Sequence, residues 1–125
     1  MEADRRGQWL RGVLDLCVLA VLVNGEGHGY GLIQRLDTSG MGRVKGGTLY
    51  PVLARLEQAG LVVAQWRAGE HGPGRKYYSL TEAGAEFLRS QSQAWRAFTE
   101  STNSLLAAIE VGVSVMGASV EPQAR

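Results

Sequence analysis

Residues 46–60 read Gly-Gly-Thr-Leu-Tyr-Pro-Val-Leu-Ala-Arg-Leu-Glu-Gln-Ala-Gly, and this stretch decides the fold. Its apolar residues follow the i, i+3, i+4, i+7 spacing of a helix with one buried face: Leu49, Val52, Leu53, Leu56 and Ala59. Gly60 stands where a left-handed glycine ends a helix. Pro51 is expected in the first turn, where its missing N–H costs no hydrogen bond. The other face carries Thr48, Tyr50 and Arg55, which can hydrogen-bond phosphates and base edges, so this helix is predicted to contact DNA.

The segments before this helix predict two more helices. Residues 9–23 are apolar enough for a helix buried on more than one side, whereas residues 1–8 are polar and predicted to be loose. Residues 30–37 give a shorter helix, and the backbone N–H groups around Tyr30 at its start can bind a phosphate. A glycine-rich connector, 38–47, is predicted to be loose and holds Arg43 and Lys45. Two short helices, the second with a polar outer face, predict a helix-turn-helix.

Two strands follow the helix-turn-helix. Residues 61–66 and 76–80 have strand-like composition, and the glycine-rich segment 67–75 is too long for a tight two-residue turn. Arg75 and Lys76 sit at the base of this hairpin, where basic side chains can lie against a phosphate backbone. The predicted fold class is therefore α+β and mostly helical, a winged helix-turn-helix.

The last segment predicts a long helix from Thr81 to about residue 115, with Thr81 as its N-cap. Leu88, Trp95, Thr102 and Ile109 recur at a strict seven-residue spacing, which is typical of a helix that packs against a second copy of itself. The sequence thus predicts a DNA-binding domain over 1–80, a C-terminal dimerisation helix over 81–116 and a flexible tail over 117–125.

Composition narrows the function classes for these 125 residues. Residues 35–76 hold seven basic and three acidic side chains, whereas residues 77–125 hold three basic and five acidic ones. This asymmetry favours a nucleic-acid-facing middle, although an excess of four charges is also a common fluctuation. The lone Cys17 forms no metal or redox pair, and the two histidines have no partners arranged for catalysis or metal binding. We expect a cytoplasmic protein that is not an enzyme, binds no metal or cofactor and does not span a membrane.

Four motifs together resemble the PadR-like transcriptional regulators, over residues from about Leu10 to Ile109. They are Val-Leu-Asp-Leu-Cys-Val-Leu from residue 13, Gly-His-Gly-Tyr-Gly-Leu-Ile from 27, Gly-Thr-Leu-Tyr-Pro-Val-Leu-Ala-Arg-Leu-Glu-Gln-Ala-Gly-Leu from 47 and Gly-Arg-Lys-Tyr-Tyr-Ser-Leu-Thr-Glu-Ala-Gly from 74. The short C-terminal part is similar to the small, single-helix branch of the family, of the lactococcal multidrug-responsive repressor type. That resemblance implies a homodimer that represses transcription and is released by a planar, often cationic, aromatic compound stacked on Trp95.

The predicted sites form three groups. The DNA-binding group consists of Tyr30, Lys45, Thr48, Tyr50, Pro51, Arg55, Arg75 and Lys76. The group for a planar aromatic effector consists of Trp95, Asp15, Trp9 and Phe98, and the dimerisation group of Leu88, Trp95, Thr102, Leu105 and Ile109.

The DNA-binding and effector groups each have a simpler interpretation. The polar face of residues 46–60 could be only solvated, Asp15 could only face solvent, and Trp95 could only anchor a dimer core. A winged-helix protein-interaction module without DNA binding or ligand is the alternative function. The predicted partner is a palindromic or pseudo-palindromic operator in double-stranded DNA, whose sequence the chain does not reveal.

Overall fold

The computed structural model describes residues 2–69 and 72–116, which contain several helices and one small antiparallel sheet. Within this part of the chain the elements run in the order α1 (Glu2–Leu22), β1 (Gly27–His28), α2 (Gly29–Leu36), α3 (Gly46–Gln58), β2 (Val62–Arg67), β3 (Arg75–Leu80) and α4 (Glu82–Met116). One π-helical turn, Asp37–Met41, continues α2. The α+β, mostly helical winged helix-turn-helix is thereby confirmed.

The core lies where the apolar faces of α1, α2 and α3 close over the sheet. Its buried side chains are Leu14, Val18, Leu19, Leu22, Leu32, Ile33, Leu36, Val44, Leu49, Val52, Leu53, Leu56, Val62 and Tyr78. The stripe predicted for α3 is buried at Leu49, Val52, Leu53 and Leu56. Ala59 is exposed instead, because α3 ends at Gln58 and Ala59 is the C-cap beyond the last packed turn.

The structure confirms the predicted end of α3 but not the predicted position of Pro51. Gly60 has a φ of +78°, the left-handed conformation expected of a glycine after a helix. The prediction for Pro51 was wrong: α3 begins at Gly46 with Lys45 as N-cap, so Pro51 is in the second turn. Its missing N–H leaves the carbonyl of Gly47 without its intrahelical partner. Gly47 and Pro51 are both exposed, so water can reach that carbonyl.

The sheet has one strand more than the sequence indicated. Strands β2 and β3 pair from Val62 with Leu80 to Arg67 with Arg75. The two-residue strand β1 adds to the other edge of β3 and pairs Gly27 with Tyr78. The strand order is therefore β1-β3-β2, and the wing is joined directly to the start of α2.

Two segments predicted to be loose contain helical structure. Residues 2–8 belong to α1, because they consist mainly of good helix formers and because Arg6 Nη2 donates to the carbonyl of Gly40, at 3.1 Å. The first part of the connector 38–47 is taken up by the π-helical turn, and only residues 42–45 stay irregular before α3.

The last helix is capped as predicted, since Thr81 Oγ1 accepts a hydrogen bond from the N–H of Gly84, at 2.9 Å. The chain divides into two units between Gln91 and Ser92. In the first unit, Phe87 and Leu88 of α4 pack against the core. In the second, residues 92–116 continue as helix. The predicted tail, 117–125, lies outside the described residues.

Candidate nucleic-acid interface

Helix α3 presents one exposed face to solvent. Leu49 and Leu53 are fully buried and hold the helix against the core. Thr48, Pro51 and Arg55 are exposed on the opposite side, together with the other predicted contacts Lys45, Tyr30 and Tyr50. A helix anchored in this way projects its outer side chains as a rigid set, which is the arrangement that DNA major-groove readers use.

Tyr50 packs against the beginning of α2. Its ring lies so close to Gly29 that a Cβ on that glycine would overlap the phenol, including its hydroxyl group. The phenol is nevertheless 49% exposed. Tyr50 therefore joins the start of α2 to the outer face of α3 while keeping its other side open to a partner.

An open cleft of about 370 Å³ lies between this Tyr50–Gly29 contact and the wing. Aromatic rings of Tyr30, Tyr50 and Trp66 line it together with the basic side chains Arg75 and Lys76. Trp66 is 69% exposed at the outer end of β2, which is unusual for a tryptophan that packs only within its own domain. The cleft thus offers stacking surfaces and positive charge at one place.

Several basic residues counted in the charge excess are used within the domain. Arg35 donates to the carbonyl oxygens of Val21, Gly25 and Glu26, so it holds the end of α1. Arg67 forms a two-point ion pair with Glu26, which raises the pKa of this guanidinium, and it stacks 4.7 Å from the centre of the Tyr77 ring. Arg35 therefore stabilises the end of α1 and the turn after it, and Arg67 stabilises the wing.

Lys76, a predicted phosphate contact, is also engaged. Its Nζ lies 3.2 Å from Glu57 Oε1 at the end of α3, and this hydrogen bond raises the pKa of the ammonium group. Lys76 also lies over the ring of Tyr78, whose own pKa is raised by burial. Lys76 therefore links α3 to the wing and contributes less free charge than the sequence indicates.

Three unpaired cations lie on α3 or just before it, two of them at its start and Arg55 in its last turn. Over residues 2–69 and 72–116, Arg43, Lys45 and Arg55 form no ion pair. Arg11 of α1 joins Arg43, Lys45 and Thr48 around a notch of about 150 Å³ beside the first turn of α3. Free N–H groups at a helix start attract phosphate, and the surrounding cations add to that attraction. Arg11 was not predicted, because only the fold brings α1 to this place.

His28 is a second residue that the sequence analysis did not assign. Its Nδ1 accepts the N–H of Gly31 at 3.2 Å and so caps α2, and its Nε2 lies 3.1 Å from Arg75 Nη1. Burial and the neighbouring Arg75 lower the pKa of this imidazole. A histidine between two glycines gives no sequence signal that it is both a helix cap and a neighbour of the wing.

The predicted effector residues lie in different units. On α1, Trp9 is exposed, and Asp15 Oδ1 accepts the N–H of Leu16 at 2.8 Å. In the C-terminal segment the rings of Trp95 and Phe98 are adjacent, with centroids 5.8 Å apart. The latter pair forms a small aromatic surface on one face of the helix.

The predicted dimerisation stripe is exposed over most of its length. Leu88 is partly buried against the core of its own chain. Leu105 and Ile109 are 77% and 60% exposed, and Thr102 uses its hydroxyl to donate to the carbonyl of Phe98, at 2.9 Å. The exposed apolar surface thus begins at Trp95.

The residues that the structure describes contain neither a candidate membrane span nor a candidate metal cluster. Over 2–69 and 72–116, no helix combines the length and apolar character needed to cross a membrane. The same residues contain no group of three or more histidine, cysteine, aspartate or glutamate side chains that could hold a metal ion.

Comparison with known proteins agrees with this geometry. The profile of the Transcriptional regulator PadR-like family matches residues 18–90. The chain is 38% identical over 87 residues to the transcriptional regulator Rv3488 of Mycobacterium tuberculosis, covering 70% of this chain and 79% of that protein.

Two solved structures share the architecture. A PadR family transcriptional regulator from Eggerthella lenta is 32% identical with a TM-score of 0.76, over 83% of this chain and 90% of that one. A PadR-like transcriptional regulator from Bacillus cereus is 36% identical with a TM-score of 0.69, over 79% and 96% of the two chains. The resemblance drawn from the four motifs is therefore confirmed. The chain belongs to the PadR-like family, whose members are transcriptional regulators and not enzymes.

Proposed function

We propose that this regulator binds duplex DNA as a homodimer in the cytoplasm and represses transcription from a palindromic or pseudo-palindromic operator. The observation that carries the proposal is the exposed polar face of α3, which lies between the basic notch at its start and the aromatic, basic cleft beside the wing. In this assignment residues 1–80 bind DNA, and residues 81–116, which consist of α4 and its N-cap, form the dimer.

The proposed contacts fall into two classes. Thr48, Tyr50, Pro51 and Arg55 face the major groove, where hydroxyl and guanidinium groups read base edges. Lys45, Tyr30 and Arg75 lie around them and contact phosphates, which fix the register of the protein on the duplex. Lys76 supports this surface through its bond to Glu57 and reaches the backbone only if that bond opens.

The proposed dimer rests on the apolar face of residues 92–116. Trp95, Phe98, Thr102, Leu105 and Ile109 follow the alternating three- and four-residue spacing of a coiled-coil seam. Phe98, Leu105 and Ile109 are each at least 60% exposed. Burying one such side chain is worth about 1.5–3 kcal/mol, so a second copy that covers this face gains substantial free energy. A two-fold dimer then presents two α3 helices to two half-sites.

The effector proposal rests on Trp95 and Phe98. Their adjacent rings give a planar aromatic compound a surface to stack on, as the resemblance to the small, multidrug-responsive branch implies. For Trp9 and Asp15, which lie on α1, a role in effector binding stays a prediction of the sequence. Binding of such a compound would change the affinity of the dimer for its operator and so act as the regulatory signal.

Binding of a random-sequence duplex, measured by fluorescence anisotropy at several salt concentrations, tests the DNA-binding proposal. We expect affinity to fall steeply between about 50 and 200 mM salt, since each neutralised phosphate adds about 0.9 to the logarithmic salt slope. Lys45→Gln should lower the slope by about 0.9. Arg89→Gln is the matched control, because Arg89 pairs with Glu86 on α4. A wild-type protein without salt-dependent DNA binding would favour the protein-interaction module instead.

Tryptophan fluorescence tests the effector proposal. A panel of planar aromatic compounds is titrated into the wild-type protein and into Trp95→Ala. We expect a saturable signal in the wild type that is lost in the variant, with Trp66→Ala as the control for quenching at another exposed tryptophan. Saturable quenching that survives in Trp95→Ala would place the site elsewhere.

A further inference from the structure

We propose that His28 and Arg75 together hold one phosphate of the DNA backbone, with the imidazole Nε2–H and the guanidinium as its two donors. This inference rests on the proposed DNA-binding function. The sequence predicted a phosphate contact for Arg75 of the wing alone. The inference adds the neutral side chain of His28, at the start of α2, to that contact.

The cap of α2 decides which ring nitrogen carries the proton. Nδ1 of His28 accepts the N–H of Gly31, at 3.2 Å, so this nitrogen must keep its lone pair. A neutral imidazole with an unprotonated Nδ1 carries its hydrogen on Nε2. The Tyr77 ring, edge-on to His28 with centroids 5.3 Å apart, holds the imidazole in this orientation.

Arg75 therefore meets a donor instead of an acceptor. Its Nη1 lies 3.1 Å from Nε2 of His28, and a guanidinium has only N–H groups to offer. Two donors at this distance cannot bond to each other, but one acceptor beside both of them can accept a hydrogen bond from each. An oxygen of a phosphate, which accepts strong hydrogen bonds from charged and neutral donors, is such an acceptor.

The position of the pair makes it accessible to a DNA strand. Strand β1 ends at His28, which pairs with Tyr77, so Arg75 extends beyond it along an uncovered edge of β3. Both side chains line the same open cleft as Tyr30 and Tyr50, and Arg75 is exposed. A backbone phosphate can therefore approach the pair while the outer face of α3 occupies the adjacent groove.

The charge state of His28 agrees with this role. Burial and the adjacent Arg75 lower the pKa of its imidazole, so the neutral, capping form dominates at neutral pH. His28 is then a hydrogen-bond donor without charge. Its contribution to DNA binding should consequently differ from that of Arg75 in one measurable respect, the dependence on salt.

The test compares His28→Asn, Arg75→Gln and the double variant in anisotropy titrations with duplex DNA. Asparagine is a good N-cap but is too short to reach Arg75, so it keeps the cap and removes the Nε2 donor. We expect His28→Asn to weaken binding about tenfold with an unchanged salt slope. Arg75→Gln should weaken binding and reduce the slope by about 0.9.

The double variant should lose less affinity than the product of the two single losses, because both donors serve one phosphate. His28→Ser, which also caps helices, repeats the test if His28→Asn has an altered circular dichroism spectrum. Wild-type affinity in the capped His28 variant, or independent losses in the double variant, would overturn the inference while leaving DNA binding itself intact. Absence of salt-dependent binding in the wild type would instead contradict the proposed function.

Discussion

Replacing Gly84 by alanine adds one methyl group where the first turn of α4 meets the backbone before β2. The new Cβ would overlap the carbonyl oxygen of Leu61 and lie 2.9 Å from Cδ1 of Leu80. The same carbonyl accepts the N–H of Thr81, at 3.1 Å, so moving it also weakens that hydrogen bond.

The three contributions to the free energy of unfolding can be compared. Overpacking costs about 1–3 kcal/mol. The upper end of this range applies, because the new Cβ would overlap the backbone oxygen of Leu61, which cannot move aside as a flexible side chain can. The weakened hydrogen bond adds about 1 kcal/mol. The higher helix propensity of alanine raises the free energy of unfolding by up to about 1 kcal/mol. We therefore expect Gly84→Ala to lower the free energy of unfolding by about 3 kcal/mol, the sum of these terms.

Urea unfolding at one fixed protein concentration measures this change, since the stability of the proposed dimer would depend on concentration. The matched control is Gly12→Ala in α1, where an added Cβ meets nothing within 4 Å. That variant should be more stable than the wild type by up to about 1 kcal/mol. If the two alanine variants shift stability in the same direction, the close packing assigned to Gly84 is wrong.

Three further predictions concern the interface, the dimer and the pH dependence of stability. Gly29→Ala should displace the Tyr50 ring and weaken duplex DNA binding about fivefold in anisotropy titrations. The free energy of unfolding should change little, because the half-exposed ring can rotate outward. Wild-type affinity in this variant would contradict the prediction. Light scattering at micromolar concentration should give twice the chain mass for the wild type. The double variant Leu105→Glu/Ile109→Glu should give the mass of a monomer. A monomeric wild type would refute the dimer. The pKa of His28 in the folded protein is below its ordinary value of 6.5. The contribution of His28 to the free energy of unfolding should therefore be complete above pH 6.5 and be lost as the pH falls through the folded pKa. In urea unfolding curves, His28→Asn should lack this part of the pH dependence. If the variant and the wild type show the same pH dependence, other titrating groups cause it.

Much of the fold could be predicted because local patterns dominate it. The buried positions of α3 follow the helical period, Gly60 ends the helix with a positive φ, and Thr81 caps α4. Strand β1 could not be predicted, since a two-residue strand has no periodicity. Its existence depends on Gly27 and His28 reaching the edge of β3, which is a tertiary contact.

The candidate interface was less predictable than the fold, because charge counts do not reveal pairing. Arg35, Arg67 and Lys76 were counted as cations available to DNA, yet each is bound to a carbonyl or a carboxylate of its own chain. Arg11 lies far from α3 in sequence and joins its first turn only through the packing of α1. Such partnerships are set by three-dimensional proximity, which a linear charge pattern cannot encode.

The short strand β1 has a mechanical consequence. Because His28 pairs with β3 through its backbone and caps α2 with its side chain, bending the wing would strain the first turn of α2. The ion pairs of Glu26 with Arg67 and of Glu57 with Lys76 tie the wing at two further points. Strands β2 and β3 are thus joined to the helix-turn-helix at three places, which reduces the conformational entropy that is lost when a ligand meets both at once.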